Sequence, residues 1–471
     1  MPHTFNILDH GAVADGQHDD APAIQRAIDA ANAAGGGRVL LPRGAIVRAG
    51  SFVLRSRVQL HLDRDAILLS ATTLDAFPQR VFDFGDEADK RVWIRARDAD
   101  DVTLSGSGTI DGQCHAFALG QTEHIFRPTV RWRPATTCFE NCRRVTVREL
   151  RFRNAANWTL HFVGCRDVHV HDVHIDNDLR FPNADGIDPD HCKRVRIERC
   201  RIVSADDCIV LKNTAPFSSY GDCEDIEVCD CVLESASAAF KIGSESCNAF
   251  RRIRVRDCRI ERSHRGLAIQ LRDGGDVEDV RFERISVNTR RFSPDWWGAG
   301  EAIYVTALRR NDRTRVGRVR DVHFEDISCT VENGVVIYAD PPGQVDDLAL
   351  RRVRVAVERV TDWPSGLFDL RPCPAGYLPP GSEPAGDDTP WGRPASRPPA
   401  IFSIEGAGHV RFEDVAYSQP GNDSRTWMPL RSDGTLRETP RPLDPSSSQH
   451  DEPTPTAPRV TPRPADTEGQ R

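Results

Sequence analysis

Nine stretches of this chain place apolar residues at the same four offsets, and few folds can use that pattern. Counted from the first apolar residue, the offsets are zero, two, five and seven. They read Val145, Val147, Leu150, Phe152 in one stretch and Val195, Ile197, Cys200, Ile202 in another. The other stretches start at Val168, Ile226, Ile253, Val280, Val322, Leu348 and Val410, mostly 23 to 31 residues apart with two longer gaps. Offsets zero and two are alternate positions of a short strand and face the same way. The three-residue step to offset five requires a bend, after which five and seven form a second strand. A helix needs a 3.6-residue period, which is absent. One such unit cannot bury its own apolar face, whereas stacked units bury a continuous column. The expectation is an all-β, single-stranded, right-handed parallel β-helix.

The cysteines repeat with the coils. Cys142, Cys165, Cys192 and Cys223 each precede offset zero by three residues, and Cys200, Cys231 and Cys258 occupy offset five. A repeating address of this kind describes a buried column of small side chains. The spacings are not those of a zinc site, so no metal is expected.

The ends differ from the middle. Ile24, Ala27, Ile28 and Ala31 lie on one helical face, Asp19-Asp20 can cap it and Gly35-Gly36-Gly37 can end it. The expected role of this N-terminal segment, about residues 1–45, is to cover the open end of the solenoid. Residues 375–400 are rich in Pro, Gly and Ser and read as a long surface loop. The β-helix is expected over 1–430, followed by a disordered Pro/Ser/Thr-rich tail over 431–471.

Three aspartates stand out. Asp185 lies in Asn183-Ala184-Asp185-Gly186-Ile187-Asp188, and Asp206-Asp207 follow 21 residues later. One coil along the sequence is one strand spacing in space, about 4.8 Å. Carboxyl groups that close cannot all ionise freely, so their pKa values are driven apart. Glycoside hydrolysis uses that separation, with one carboxyl kept as acid and another as base.

Asn-x-Asp-Gly one coil before x-Asp-Asp resembles the polygalacturonase family of glycoside hydrolases, family 28. The likeness runs over about residues 4–420. It includes Phe5-Asn6-Ile7-Leu8-Asp9-His10-Gly11-Ala12, Gly108-Thr109-Ile110-Asp111-Gly112, Trp158-Thr159-Leu160-His161 and Asp206-Asp207-Cys208-Ile209-Val210-Leu211-Lys212. The resemblance implies a pectin-lyase-like solenoid and cofactor-free hydrolysis with inversion at the anomeric carbon. Asp206 then matches the general acid, and Asp185 and Asp207 match the carboxylates that activate water. The implied substrates are pectin-derived oligosaccharides.

The chain departs from that family where substrate carboxylates are held. Ala238 stands at the family's histidine, and Ala268 and Gln270 stand at its arginine and lysine. That turns the expectation from ordinary galacturonan toward the rhamnogalacturonan branch, or toward a neutral or deoxy sugar. Asn183, Lys212, Lys241, Glu245, Arg265, Gln270 and Arg272 fall on or beside the same coils and are candidates for substrate contact. Beyond them, Asp295-Trp296-Trp297-Gly298 offers at most one core tryptophan, since adjacent strand residues face opposite ways. Trp297 is a candidate stacking platform with Glu301 accepting sugar hydroxyls, and His161 is a further candidate.

Two other classes use the same fold. A polysaccharide lyase would need a basic proton acceptor and often calcium, which the aspartates could bind. A carbohydrate-binding solenoid would hold sugar without turnover. Of the charged residues, 62 are basic and 70 acidic, giving a net charge of -8, and arginines alternate with acids instead of forming blocks. No nucleic-acid partner is expected from this. No run of 18 apolar residues suggests a membrane span. The N-terminal sequence lacks a basic segment followed by an apolar one, so the expected location is the cytoplasm, with free thiols. Short imported oligosaccharides and release of a terminal sugar would follow there, from a monomer.

Overall fold

The structure, a computed structural model, describes residues 3–83, 89–293, 295–421, 423, 425–433 and 435–443. It is a right-handed parallel β-helix whose strands form a 25-stranded and a 13-stranded sheet. Offset zero stacks in register along Val145, Val168, Val195, Ile226, Ile253, Val280, Val322, Leu348 and Val410. Offset seven stacks as Phe152, Ile175, Ile202, Leu233 and Ile260. These side chains are buried in one continuous core.

The bends have a conformational cause. The residue before offset zero and the residue before offset five adopt left-handed backbone in coil after coil. Arg144, Asp167, Arg194, Asp225, Arg252 and Asp279 form one such column, and Glu149, Asp172, Arg199, Asp230, Asp257 and Arg284 the other, with φ between 51° and 63°. Non-glycine residues rarely adopt this region, and Asp is among those that tolerate it. Successive coils link these corners through forked ion pairs, as in Arg194–Asp167 (2.6 and 2.9 Å) and Arg199–Asp172 (2.9 and 3.0 Å). Exposed on both sides, each such pair is worth ~1 kcal/mol at most.

Each coil also has a third strand, on the 13-stranded sheet. Leu160–Val163, Ile187–Asp190, Ile209–Asn213, Ala238–Ser246, Arg265–Leu271 and Glu301–Leu308 stack there in sequence order. Leu160, Ile187, Ile209, Phe240, Leu267 and Ile303 fill the inside, and their neighbours point outward to form the working face.

Helix α1 (Ala21–Ala33) buries Ile24, Ala27, Ile28 and Ala31 against the first coils. Of the two expected capping residues, Asp19 bonds the helix and Asp20 does not. The Asp20 carboxylate accepts from Val13 N (2.8 Å) and Ala14 N (2.9 Å). Asp19 takes the helix's Ala21 N–H at 3.0 Å. At the other end, Met428–Ser432, Thr435–Arg437 and Arg441–Pro442 still pair with the solenoid, so coiling passes the boundary expected at 430. Beyond Leu443 the expected disordered tail lies outside the described residues.

All fourteen cysteines are free thiols, and only Cys247 is not fully buried. No helix among the described residues is long and apolar enough to cross a membrane.

Candidate active site

Asp185 and Asp207 sit at the corners that lead into the third strands of successive coils, where Gly186 N donates to Asp207 O at 2.9 Å. Gly186 is required there: a Cβ would meet Cys208 O at 2.4 Å. The corner turns Asp185, Asp206 and Asp207 to one spot, with an oxygen of each within 4.8 Å of the others.

The three carboxyls differ in surroundings. Asp185 and Asp207 are buried, whereas Asp206 is half-buried. Asp207 accepts from Lys241 Nζ (2.5 Å), Ser237 Oγ (3.1 Å) and Ala238 N (3.2 Å). Asp206 receives one longer bond, from Asn183 Nδ2 at 3.4 Å. Asn183 in turn accepts from Arg133 Nη2 at 2.9 Å. Burial, with the charges of Asp185 and Asp207 added, pushes the Asp206 carboxyl up to about 7. Burial also raises Asp185, against the pull of Lys212. The outcome is one carboxyl that keeps its proton near neutrality beside another satisfied by three donors.

Two residues outside the sequence-based set join the cluster. Asp188 is fully buried, neither oxygen makes a hydrogen bond, and burial and Asp185 raise its pKa strongly. Lys90 Nζ lies 3.4 Å from the Trp158 ring centroid, with Lys212 Nζ 4.6 Å from the same centroid. Burial and Lys212 lower the Lys90 ammonium to about 7. Asp188 could have been suspected from its place in the Asp185 motif. Nothing local in the sequence marks Lys90, which comes from a distant coil.

Lys212 bridges Asp185 (3.5 Å), Asp188 (3.7 Å) and Glu245 (3.7 Å). Burial opposes the charge on Glu245, but Lys212, Arg310 and Lys241 hold it at about 2. Lys212, Lys241 and Glu245 thus come together around the aspartates. The three aspartates could in principle hold a cation, but Lys241 and Lys212 already supply positive charge to the same carboxylates.

Other candidates are engaged elsewhere. His161 is fully buried, with Nε2 3.3 Å from Asp190. Asp190 is held by Thr214 through N (3.0 Å) and Oγ1 (2.7 Å). Arg265, Gln270, Arg272 and Glu301, expected to face sugar, are covered by residues 366–373, which lie across the working face. Arg265 pairs with Glu301 (3.2 Å) and stacks on Tyr304. Arg272, fully buried, donates to Pro372 O (2.6 Å), Leu370 O (2.8 Å) and Thr306 Oγ1 (2.9 Å). Gln270 donates to Arg371 O. Ala238, Ala268, Tyr304, Phe368 and Leu370 form an apolar cluster beneath the same segment. The segment that packs on the sheet lies just ahead of the expected surface loop, where the small side chains at 238 and 268 leave it room, and residues 380–391 within that loop are largely exposed. Trp296 is buried and Trp297 half-buried, with the Arg371 guanidinium 5.9 Å from the Trp297 ring centre.

A family model described as Glycosyl hydrolases family 28 matches residues 58–355. A second, described as Rhamnogalacturonase A/epimerase, pectate lyase-like, matches residues 4–63. A "Probable polygalacturonase" of Vitis vinifera is 28% identical over 321 residues, covering 63% of this chain and 63% of the relative. The chain thus spans less than two thirds of that relative's length. Among solved structures, the Yersinia enterocolitica family 28 exopolygalacturonase superposes with a TM-score of 0.66 at 13% identity, covering 94% of this chain and 80% of that one. The exopolygalacturonase of Thermotoga maritima gives 0.59 at 20% identity, covering 84% and 95%. At these identities the two structures establish a common fold.

Proposed function

This chain belongs to the glycosyl hydrolases family 28, and from that premise we propose that it hydrolyses O-glycosidic bonds in pectin-derived oligosaccharides of the galacturonide or rhamnogalacturonan type. One observation carries the proposal: Asp206, half-buried with a pKa of about 7, stands within 4.8 Å of Asp185 and of Asp207, which Lys241 pairs. Asp206 donates its proton to the glycosidic oxygen as the bond breaks. Asp185 and Asp207 hold the attacking water and take its proton. Lys241 lies against Asp207 and Lys212 against Asp185, placing positive charge beside that pair, and no cofactor enters the step.

The spacing supports a second reading of the stereochemistry. Carboxyls about 5 Å apart often work through a covalent intermediate, whereas inversion usually needs a wider gap for water. We favour inversion, because two carboxylates side by side can hold a water between them. Proton NMR of the first-formed anomer, with Asp206→Asn as control, decides it. An inverted product from wild type alone supports the proposal. A retained anomer refutes the water-activation roles, and no turnover of any pectic or neutral substrate refutes the hydrolase.

The segment over residues 265–272 favours exo action. A sugar chain running along the working face meets residues 366–373 about two coils, roughly 10 Å, past Asp207, so a chain end is the better fit. What favours a cytoplasmic location is the set of buried free thiols. We propose a monomer acting there on short oligosaccharides.

A further inference from the structure

A chain of hydrogen bonds crosses successive coils and ends on Asp206. Arg133 lies just ahead of the strand Pro134–Glu140, and Ala156, Asn183 and Asp206 lie just ahead of the next strands in the same stack. Arg133 Nη1 donates to Ala156 O (3.1 Å) and Pro182 O (2.6 Å), and its Nη2 donates to Asn183 Oδ1 (2.9 Å). The guanidinium also sits 5.7 Å from the Phe181 ring centre. One side chain thus holds the 181–183 turn against the coil before it. Asn183 carries the chain on, from Nδ2 to Asp206 Oδ2 at 3.4 Å.

The direction of this chain follows from donor and acceptor chemistry. A guanidinium has donors only, so the Asn183 amide turns its oxygen toward Arg133. Its NH2 then faces Asp206. That group has no lone pair to offer, so Asp206 Oδ2 accepts from it. When Asp206 carries its proton, the proton is therefore on Oδ1, and among the described residues no other hydrogen bond to this carboxyl is made. A reversed amide would turn its oxygen to Asp206 and draw the proton into a bond of its own. Burial lowers the Arg133 guanidinium to about 10, against the pull of Asp185 and Asp206, so it stays charged near neutrality.

We propose that Arg133 is a positioning residue for the acid: it fixes the Asn183 amide so that the Asp206 proton stays on Oδ1, available to the glycosidic oxygen. This rests on the reading of Asp206 as the acid. Both links also favour the ionised carboxylate, one through charge and one through a donated hydrogen bond, so their loss raises the Asp206 pKa. Asp185, Asp207, Lys241 and Lys212 face the same carboxyl and remain in place.

The test compares full-length wild type with Arg133→Met, Asn183→Gly and the double variant. Asn183 is exposed and its backbone is left-handed (φ 58°), which suits glycine, so this variant keeps the fold. Rates on a pectic oligosaccharide are measured across pH, and the Asp206 carboxyl carbon is titrated by NMR, its signal assigned by its loss in Asp206→Asn. Each single variant should lower kcat about 30-fold, change KM less than about threefold, and raise the Asp206 pKa by about half a unit. The double variant should lose no more than about threefold beyond the weaker single one, because both break one chain. Losses that multiply in full, an Asp206 titration that stays in place, or a loss confined to KM overturns the positioning role and leaves Asp206 as the acid. Wild type that turns over no pectic oligosaccharide, or Asp206→Asn as active as wild type, overturns the hydrolase reading and this role with it.

Discussion

Replacing Lys241 by Met should shift the alkaline limb of the pH–rate profile upward while lowering the rate. Asp206 works as an acid only while protonated, so wild-type kcat/KM should fall about tenfold per pH unit above its pKa of about 7. Lys241 opposes that protonation, since a nearby positive charge favours the ionised carboxylate. Its Nζ is 2.5 Å from Asp207, and Asp207 presents an oxygen within 4.8 Å of Asp206. The ammonium is thus about 7 Å from the acid, worth about 2 kcal/mol at an effective dielectric of 20, or roughly one and a half pH units. Asp206 is half-exposed, and screening brings the expected shift to about one unit, upward. Asp207 loses its shortest donor in the same variant, so the maximal rate should drop about a hundredfold. The assay is reducing-sugar release from a pectic oligosaccharide between pH 4 and 9, with a circular-dichroism melt to confirm folding. An alkaline limb that stays at 7, or moves down, would refute Asp206 as the acid under Lys241's influence.

Arg272→Met should leave Leu370 O and Pro372 O without their buried donor, cost about 3 kcal/mol, and free the covering segment. Thermal melts should register the loss, and product chromatography should change from single terminal sugars to mixed lengths. Asp188→Asn should raise Tm at pH 8 and leave it unchanged at pH 4 or below. The folded state holds the Asp188 proton above the unfolded value near 3.9, so unfolding releases that proton and stability falls as pH rises. Asn removes that slope, and Tm measured across pH checks it. Ile197→Ala, at a fully buried offset-two position, should cost ~2–5 kcal/mol in urea titration, because stacked neighbours on both sides hold the cavity open.

The core was legible in the sequence because offsets zero to seven span two strands and one bend of fixed length. Neither strand can slip without turning its apolar side out. The third strand was not legible, although it carries the site. Leu160, Ile187, Ile209 and Ile303 are its inward residues, yet the loops before them differ in length from coil to coil. Their spacing from offset zero therefore shows no period. The Asp185, Asp206 and Asp207 cluster could still be found, because the short turn before Asp206 keeps the one-coil separation intact. The fate of Arg265, Gln270, Arg272 and Glu301 could not be read from their own coils. On those coils they are outward-facing polar residues, as a sugar-binding set would be. What decides their role is a segment a hundred residues later, whose carbonyls at Leu370, Arg371 and Pro372 take the donors that sugar hydroxyls would have taken. Small side chains at Ala238 and Ala268 were visible as losses of charge. In the folded protein they are also gains of space, and the covering segment fills that space. The small residues at 238 and 268 therefore make room for the wall that covers those coils.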